Sequence, residues 1–592
     1  MVKIMTSLIQ TLSQIVGDAF VAEGLDAAMG AVRVSDRPDL AQFQCNGAMM
    51  AAKAAKKNPR AVADAISARL SANPIFAKIE IAGPGFINLV LTDAYLSGFA
   101  EGLKGDDRFG AVPYATGKTM VLDYGGPNVA KAMHIGHLRP CIIGDCLRRM
   151  AIFAGYKAIG DVHLGDWGTP MGMILSELEI NHPEWPYFDA NFTGPYPAEP
   201  PVTMADLEVI YPRAANACKD DPARMDAARQ ATVELQDGRP GYRALWKHFV
   251  DVSIAGVKRN YDLLGVHFDL WKGEADSHPY IAPMVDDLRK RGIAIEDNGA
   301  VIVPVKTDDD QKEIPPLILY KRDGAVMYGT TDLATIVERV KDFNPDKIVY
   351  VVDQRQSLHF EQVFRAARIG AIVRDDVELT HAGFGTMNGA DGKPFKTRAG
   401  GVMRLEDMIG MARDAVVEQM KSANVAQDMD DAAKDKVALQ VAVAAIKFAD
   451  LQNQRQSDYI FDLNRFTSFE GKTGPYLQYQ AVRIKSLLKK AADQGFEPAD
   501  TITVNDEGRA LILLMAEWPE TVEMALRNYT PHVLCDFVYR MANAYSSFYG
   551  NYHILSESDA GLRSSRLALS ALTFKHIELA LNMLGIDVPE RM

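Results

Sequence analysis

Residues 121–139 read Val-Leu-Asp-Tyr-Gly-Gly-Pro-Asn-Val-Ala-Lys-Ala-Met-His-Ile-Gly-His-Leu-Arg, the most informative stretch of the chain. The apolar segment at 120–124 predicts a strand, Gly-Gly-Pro predicts a turn, and His-Ile-Gly-His opens a predicted helix. Pro140 falls in the first turn of that helix, where its missing N–H costs little. Gly155 is a natural C-terminal stop. The stretch therefore predicts a strand–turn–helix unit with an anion-binding helix N-terminus.

Two histidines stand one turn apart at this N-terminus, His134 and His137. Unpaired backbone N–H groups and the helix dipole both favour an anion there, so both imidazoles can reach triphosphate oxygens. Gly136 between them leaves room for a nucleotide against the backbone. The alternative is a capped helix with two surface histidines.

The strand–turn–helix closely resembles the HIGH signature of class I aminoacyl-tRNA synthetases. Residues 128–139, Asn-Val-Ala-Lys-x-x-His-x-Gly-His-Leu-Arg, are similar to the arginyl-tRNA synthetase version of it. Segments similar to that family follow in its order: Gly-Asp-Val-His-Leu-Gly-Asp-Trp-Gly at 160–168, Tyr-Gly-Thr-Thr-Asp at 328–332, Asp-Gln-Arg-Gln-Ser-Leu-His at 353–359 and Pro-Glu-Arg-Met at 589–592. The resemblance covers essentially the whole chain. It implies an arginine–tRNA ligase that forms arginyl-adenylate from ATP and transfers arginine to the 3′-terminal ribose of tRNA-Arg.

Composition sets the class and compartment. With 592 residues, 48% of them hydrophobic and 24% charged, the chain has the composition of a soluble protein of several domains. No apolar run approaches the roughly 18–20 residues that span a bilayer, and no secretory signal is visible. Five cysteines form no C-x-x-C pair, which argues against disulfides and zinc. We therefore expect a cytoplasmic protein. The net charge of −13 does not exclude RNA, because phosphate contacts depend on local basic patches.

The order of predicted elements indicates three parts. Residues 1–112 form an α/β module with helices at 4–22 and 59–72 and a strand pair within 79–91. Residues 113–404 alternate strands and helices, which predicts a parallel, doubly wound sheet. An insertion is expected at about 181–272, and long amphipathic segments at 405–592 predict a helical bundle. The predicted strands of the middle part are at 120–124, 156–163, 300–304 and 347–352. The main predicted helices of the bundle are at 433–451, 476–492, 511–527, 532–549 and 561–584.

The resemblance implies a function for each of these three parts. It implies a tRNA D-loop-binding module, a Rossmann-like class I catalytic domain and an all-α anticodon-binding domain. Candidate tRNA contacts are Phe86, Asn88, Tyr479, Tyr549 and Met592. Exposed aromatic side chains can stack on unpaired bases, although such residues at helical spacing are often core. The resemblance also implies a monomer.

A second nucleotide element is predicted in the Gly-rich basic loop at 385–401. It resembles the class I KMSKS loop, but Phe-Lys-Thr-Arg-Ala at 395–399 lacks the second lysine. Lys131 is well placed to supply the missing cation, and the resemblance implies that role. The alternative is a solvated loop. The implied ATP-binding set is Lys131, His134, Gly136, His137, Gly165, Lys393 and Lys396, and the implied catalytic set is Lys131, His134, His137, Lys396 and Arg398.

Specificity for arginine requires acidic residues, because a guanidinium is planar, permanently charged and suited to carboxylates. Asp123 ends the strand before the histidines, Asp332 begins a helical stretch after Tyr328, and Glu274 follows Trp-Lys-Gly. By resemblance, Asp332 and Tyr328 line the side-chain pocket. The complete implied arginine-binding set is Asp123, Asn128, Glu274, Tyr328, Asp332 and Gln356, with Asp123 and Asn128 near the α-amino group and carboxylate.

The expected reaction needs no protein nucleophile, because the substrate carboxylate attacks the α-phosphate and the enzyme supplies positioning and charge. Mg²⁺ is expected to accompany ATP rather than to occupy a protein metal site. Three rival functions are weaker: a small class I-like ligase or nucleotidyltransferase, a non-catalytic tRNA-binding paralogue, and a synthetase for another amino acid such as cysteine. A small ligase of this class lacks the large helical bundle that is predicted here. A non-catalytic paralogue would be free to lose His134 and His137, and both are present. A cysteine-specific synthetase would need a metal-ligating pocket, and no Cys/His cluster is visible. Pro170 replaces the glutamine that the family commonly has after Asp-Trp-Gly-Thr.

Overall fold

The computed structural model describes residues 7–37, 39–389, 392–393, 403–422 and 429–592. The chain divides into two units. The first unit comprises Met1–Tyr114, Val416–Gln452 and Arg465–Met592. The second unit comprises Ala115–Ala415 and Asn453–Asn464. The predicted N-terminal module and most of the predicted bundle therefore share one unit.

The N-terminal part of the first unit is an α/β module. Its elements are α1 (Leu8–Ala22), β1 (Val32–Val34), β2 (Phe43–Cys45), α2 (Gly47–Ala55), α3 (Pro59–Leu70), β3 (Phe76–Ala82), β4 (Phe86–Leu91) and α4 (Asp93–Leu103). The strands form an antiparallel sheet in the order β1-β2-β4-β3. Asn58 caps α3 by accepting a hydrogen bond from Arg60 N at 2.9 Å. The predicted helices and strand pair are confirmed, whereas β1 and β2 were missed because three residues carry too little periodicity.

The second unit contains the alternating part of the chain. Its elements are β5 (Thr119–Tyr124), α5 (Leu138–Ala154), β6 (Lys157–Asp161), α6 (Thr169–Asn181), α7 (Met204–Asp220), α8 (Pro222–Asp237), α9 (Pro240–Leu264), α10 (Glu274–Lys290), β7 (Ile295–Asp297), β8 (Ala300–Val303), β9 (Leu317–Tyr320), α11 (Tyr328–Phe343), β10 (Lys347–Val351), α12 (Ser357–Ile369), β11 (Glu378–His381), β12 (Met387–Asn388) and the start of α13 (Leu405–Ser422). The central sheet is parallel, in the order β11-β10-β5-β6. The predicted parallel sheet is confirmed.

The strand at 300–304 was assigned to the wrong sheet. It forms β8, which pairs antiparallel with β7 and β9 in a separate three-stranded sheet. Asn298 and Gly299 both have positive φ, 50° and 82°, as a two-residue Asn-Gly hairpin turn requires. The hairpin turn pairs this strand with its neighbours in sequence. The alternation of strands and helices had predicted instead that it belongs to the parallel sheet.

The central sheet is held by an apolar core on the face covered by α11 and α12. Val121 and Ile348 from the sheet pack with Leu333, Ile336 and Val363 from these helices, and all five are buried. The carboxyl ends of β5, β6 and β10 meet at one edge, where Asp123 is in register with Asp161 and with Tyr350. Ligands of parallel sheets bind at such edges.

The C-terminal part is helical, as predicted. Its elements are α14 (Asp431–Leu451), β13 (Tyr459–Ile460), α15 (Leu463–Phe466), α16 (Gly474–Asp493), α17 (Asp506–Ala516), α18 (Trp518–Arg527), α19 (Pro531–Asn551) and α20 (Ala560–Met583). The predicted helix at 511–527 is two helices, because Pro519 starts a new one after Glu517. Within the described ranges, no helix has the length and apolar character to cross a membrane.

The module and the bundle pack together inside the first unit. The ring of Phe109 stacks on His576 at 3.6 Å between centroids. Trp518 Nε1 donates to Arg108 O at 3.1 Å, and Lys104 Nζ donates to Ala499 O at 2.6 Å. The two RNA-binding parts implied by the resemblance are therefore physically continuous.

Candidate active site

The two histidines lie where β5 leads into α5. A 3₁₀ turn at Ile135–His137 precedes α5. His134 Nδ1 accepts a hydrogen bond from Gly136 N at 3.0 Å, and His137 Nδ1 accepts one from His134 N at 3.1 Å. An accepting Nδ1 carries no proton in a neutral ring, so each imidazole presents Nε2–H as a donor. The ring centroids are 4.0 Å apart, close enough for both to serve one polyphosphate.

Both histidines are held in the neutral form. Burial, together with the neighbouring His134, lowers the pKa of His137 to about 3. Burial also lowers the pKa of His134, with a smaller contribution from Lys131. The pair therefore offers hydrogen-bond donors near neutral pH, while positive charge must come from elsewhere.

Glycines shape the walls of this site. A Cβ at Gly136 would lie 2.7 Å from the His134 ring, so a side chain would displace that imidazole. A Cβ at Gly165 would lie 2.2 Å from Asn128 Oδ1. Val129 N donates to Gly165 O at 3.0 Å, and Gly165 N to Pro127 O at 3.2 Å. Two residues predicted for different substrates, Asn128 and Gly165, are thus neighbours.

The exit of the Gly-rich loop joins the entrance to the histidine turn. Ile135 N donates to Met403 O at 3.1 Å, and Leu405 N donates to Met133 O at 3.0 Å. The loop entrance is held at β12, which pairs with β13. Lys393 accepts a hydrogen bond at its carbonyl from Gly389 N at 2.8 Å. Lys396 and Arg398 lie outside the described residues.

Lys131 lies beside the same entrance. Its Nζ lies 4.5 Å from the ring centre of Tyr211 in α7. It also lines a cavity of about 190 Å³ with Arg404 and with residues of α7 and α9. Its charge contributes to the lowered pKa of both His134 and His137. Lys131 is therefore close enough to these imidazoles to act electrostatically on what they bind.

The acidic residues predicted for arginine come from different elements. Glu274 is the first residue of α10, and Asp332 lies in the first turns of α11. Burial raises the pKa of Glu274, and the charge of Asp332 adds to that shift. Asp332 Oδ2 lies 2.5 Å from His359 Nε2. The two carboxylates are close enough to interact electrostatically, and a pair of carboxylates is chemically suited to bind a guanidinium.

Tyr328 and Gln356 are also predicted to contact arginine. Tyr328 is 70% exposed. Partial burial raises its pKa, and the charge of Glu274 adds to that shift. Gln356 is exposed at the end of a 3₁₀ turn, Gln354–Gln356. His359, three residues further on, belongs to the Asp-Gln-Arg-Gln-Ser-Leu-His segment, but its contact with Asp332 was not predicted. Its spacing one helical turn after Gln356 was the available signal.

Glu274 is held in place by the loop after β6. Ala275 N donates to Asp166 Oδ1 at 3.1 Å, so Asp166 caps α10 from another segment. Glu274 N donates to Leu164 O at 3.0 Å. Burial raises the pKa of Asp166 to about 7. The positioning role of Asp166 was not predictable from the sequence, because its partner amide lies 109 residues away.

Asp123 belongs to a buried charge cluster. Arg339 Nη2 donates to Asp123 Oδ2 at 2.6 Å and to Asp161 Oδ2 at 2.7 Å. Oxygen atoms of these two acids and a ring nitrogen of His163 lie within 4.8 Å of one another. The arginine already occupies the position between the carboxylates, so this group does not fit a divalent cation. Arg339 and Asp161 were not predicted from the sequence.

The candidate tRNA residues lie in the first unit. Asn88 is 5% exposed, and its Oδ1 accepts a hydrogen bond from Gln44 Nε2 at 2.8 Å. Tyr479 is 38% exposed on α16. The Tyr549 ring centre lies 4.6 Å from the Arg483 guanidinium. Phe86 begins β4, and Met592 is half-buried at the chain end.

The tail that carries Met592 is anchored by buried polar groups. Lys447 Nζ donates to Gly585 O at 2.6 Å, and Gln478 Nε2 donates to Asp587 O at 2.6 Å. Lys485 pairs with Glu590 at 3.0 Å. The last residues are thereby fixed beside α16, the helix of Tyr479.

A helix N-terminus with two neutral imidazole donors, at the carboxyl edge of a parallel sheet and followed by an acidic pocket, defines a class I aminoacyl-tRNA synthetase. Three family patterns match the chain: "tRNA synthetases class I (R), catalytic domain" at 103–463, "DALR anticodon binding domain" at 477–592 and "Arginyl tRNA synthetase N terminal domain" at 3–91. The chain belongs to the arginyl-tRNA synthetase family.

Curated relatives support this assignment along the full length. The arginine–tRNA ligase of Hyphomonas neptunium is 51% identical over 590 residues, covering 99% of this chain and 100% of the relative. That of Alkaliphilus oremlandii is 48% identical with the same coverage. The solved arginyl-tRNA synthetase of Plasmodium falciparum has a TM-score of 0.80 at 22% identity, covering 99% of this chain and 100% of that chain. The Thermus thermophilus enzyme has a TM-score of 0.77 at 20% identity with the same coverage. At these identities the two structures show the shared fold.

Proposed function

We propose that this chain joins arginine to tRNA-Arg in two steps, by forming arginyl-adenylate from ATP and then transferring the arginyl group to the terminal ribose. The observation that carries the proposal is the pairing of two donor imidazoles, His134 and His137, with the acidic pocket of Glu274 and Asp332 in one unit. The full-length match to curated arginine–tRNA ligases supports this function over a small ligase, a non-catalytic paralogue or a synthetase of different specificity.

ATP binds along the histidine turn. The Nε2–H groups of His134 and His137 donate to phosphate oxygens, and Gly136 and Gly165 allow the nucleotide to approach the backbone. Lys131 supplies a fixed positive charge beside them. By family resemblance, the remaining ATP contacts come from the Gly-rich loop, through Lys393, Lys396 and Arg398. Mg²⁺ arrives with the triphosphate, and the proposal includes no zinc.

Arginine binds with its guanidinium between the two acids. Asp332 Oδ2 is engaged by His359, so Oδ1 is the oxygen we assign to the guanidinium. Glu274 provides the second carboxylate, and Tyr328 and Gln356 close the rim. Asp123 and Asn128, at the other end of the pocket, hold the α-ammonium group and the carboxylate.

Chemistry then requires charge and position rather than a protein nucleophile. The arginine carboxylate attacks the α-phosphorus, the bond to pyrophosphate breaks, and negative charge builds on the phosphate oxygens. Neutral imidazole donors and the Lys131 cation stabilise that charge. In the second step the ribose 2′-hydroxyl attacks the aminoacyl carbonyl, and AMP leaves.

Transfer RNA binds through the first unit. Phe86 and Asn88 contact the D-loop, and Tyr479, Tyr549 and Met592 lie near the anticodon in this proposal. Because Asn88 already accepts from Gln44, its amide NH₂ is the group available to RNA. We further propose a cytoplasmic monomer. The odd number of cysteines and the lack of a C-x-x-C pair support a reducing compartment.

ATP–pyrophosphate exchange tests the proposal. Purified enzyme is assayed with each amino acid in the presence of tRNA-Arg, and citrulline serves as the neutral isostere of arginine. With tRNA-Arg present, exchange is expected with arginine and with no other amino acid. Citrulline should be rejected, because it would leave two desolvated carboxylates without a cation. Equal exchange with citrulline would contradict the acidic pocket, and no exchange with any amino acid would contradict the activity.

A further inference from the structure

Arg339 is one of the most deeply buried charged residues of the second unit. It is 1% exposed, and its Nη2 bridges the carboxylates of Asp123 and Asp161. Its guanidinium lies 5.2 Å from the ring centre of Tyr350. A charge is costly to bury, and a well-packed apolar residue usually replaces a buried ion pair without loss of stability. A function beyond stability therefore has to be considered.

The fold places Arg339 at the carboxyl edge of the central sheet, in contact with the residue proposed to hold the α-ammonium group. Asp123, Asp161 and Tyr350 are register partners at the carboxyl ends of three adjacent strands. Arg339 reaches them from α11, where it lies seven residues after Asp332 and hence on the same helix face. One helix thus supplies both a proposed guanidinium contact and the cation that contacts Asp123.

We propose that Arg339 is a positioning residue, which holds the Asp123 carboxylate ionised and in one orientation for the α-ammonium group of arginine. The inference rests on the proposed placement of Asp123 at that group. Two carboxylates and one guanidinium leave a net negative charge. A substrate ammonium would neutralise it, whereas a neutral or anionic group would not.

Loss of Arg339 should change the protonation of Asp123. The charged or titratable groups that face Asp123 are Arg339 from α11, Asp161 and His163 from β6 and its following loop, and Tyr350 from β10. Burial raises the pKa of Asp123, Asp161 raises it further, and Arg339 and His163 oppose this. Without Arg339, burial and Asp161 act with less opposition, so the pKa of Asp123 should rise further and its protonated form should be favoured.

The test measures the KM values for arginine and ATP between pH 6.5 and 9 in the tRNA-containing exchange assay. For Arg339→Met we expect the arginine KM at pH 7 to rise at least about tenfold, with the ATP KM unchanged. The increase should shrink toward pH 9 as Asp123 ionises. Arg339→Lys keeps a cation and should restore both the arginine KM and its pH independence. Arg365→Met is the matched control, because it removes a two-bonded ion pair with Asp310 elsewhere in the unit.

Asp123→Asn separates this inference from the proposed function. If Asp123→Asn leaves the arginine KM unchanged, the placement of Asp123 is wrong. If it raises the arginine KM while Arg339→Met raises both KM values equally, or raises them independently of pH, the positioning role is refuted. Should Arg339→Met fail to fold, Arg339→Met with Asp161→Asn removes one buried charge of each sign. A wild-type arginine KM in that double variant would also refute the role, and an increased, pH-dependent KM would support it.

Discussion

Substitution of Asp332 by asparagine tests the arginine pocket most directly. The variant keeps the shape of the side chain and removes one charge. Asp332 is 24% exposed at its side chain and is held by His359 at 2.5 Å, so the asparagine should remain in place. Unit charges about 4 Å apart interact by about 4 kcal/mol at an effective dielectric of 20. Solvent access and retained hydrogen bonding set the expected loss at about 2–5 kcal/mol of arginine binding.

That loss corresponds to an arginine KM raised about 30- to 4000-fold, since about 1.4 kcal/mol is a factor of ten. The ATP KM should change little, because the histidine turn lies on another segment. Steady-state exchange with tRNA present measures both constants. Asp342→Asn is the matched control: it lies on the same helix and pairs with Lys272 at 3.0 Å. An unchanged arginine KM in Asp332→Asn, or an equal increase in the control, would refute the assignment.

Three further predictions follow from the same structure. Lys131→Ala should slow activation about 10²–10³-fold by removing transition-state stabilisation; a full loss in Lys396→Ala and none in Lys131→Ala would assign that charge to the loop instead. Arginine-dependent exchange should require tRNA, because RNA docking is expected to complete the ATP site; robust exchange by tRNA-free enzyme would contradict this coupling. His576 has a pKa of about 3 in the folded state because it is buried, below its unfolded value near 6.5, so stability is lost as the pH falls from about 6.5 toward 3. Urea unfolding at pH 7 and 5 should show a wild-type loss larger by about 2 kcal/mol than that of His576→Gln, and equal losses would contradict the buried neutral ring.

Local signals in the sequence account for much of the fold. The strand at 120–124 and the helix ending at Gly155 were predictable because turn residues and caps act over a few positions; Gly155 indeed has a φ of 98°. The misplaced strand β8 shows the limit of such patterning. Alternation predicts that a strand exists, but sheet membership depends on pairing between distant segments. Only the Asn298-Gly299 turn pointed locally to a hairpin.

The residues of the candidate site also fall into those predictable from a local motif and those that depend on distant segments. His134 and His137 were predictable from a contiguous motif, and the structure adds their tautomer, which backbone amides determine. Arg339 was not predictable, because its two partners lie 216 and 178 residues away. Its spacing from Asp332 was visible in the sequence. Without the neighbouring strand ends, however, that spacing does not distinguish a functional cation from a solvated helix face.

The neutral state of the histidine pair explains why this chain needs a separate cation. Both Nδ1 atoms accept backbone hydrogen bonds, and burial keeps His137 uncharged over the physiological pH range. The pair can therefore orient phosphate oxygens but cannot neutralise the charge that develops on them. In the proposed mechanism the neutralising charge comes from Lys131, from the Gly-rich loop and from the Mg²⁺ that accompanies ATP. Lys131 precedes His134 by only three residues, and Ile135 N of the same turn donates to Met403 O at the loop exit. A cation at position 131 is therefore held close to both histidines.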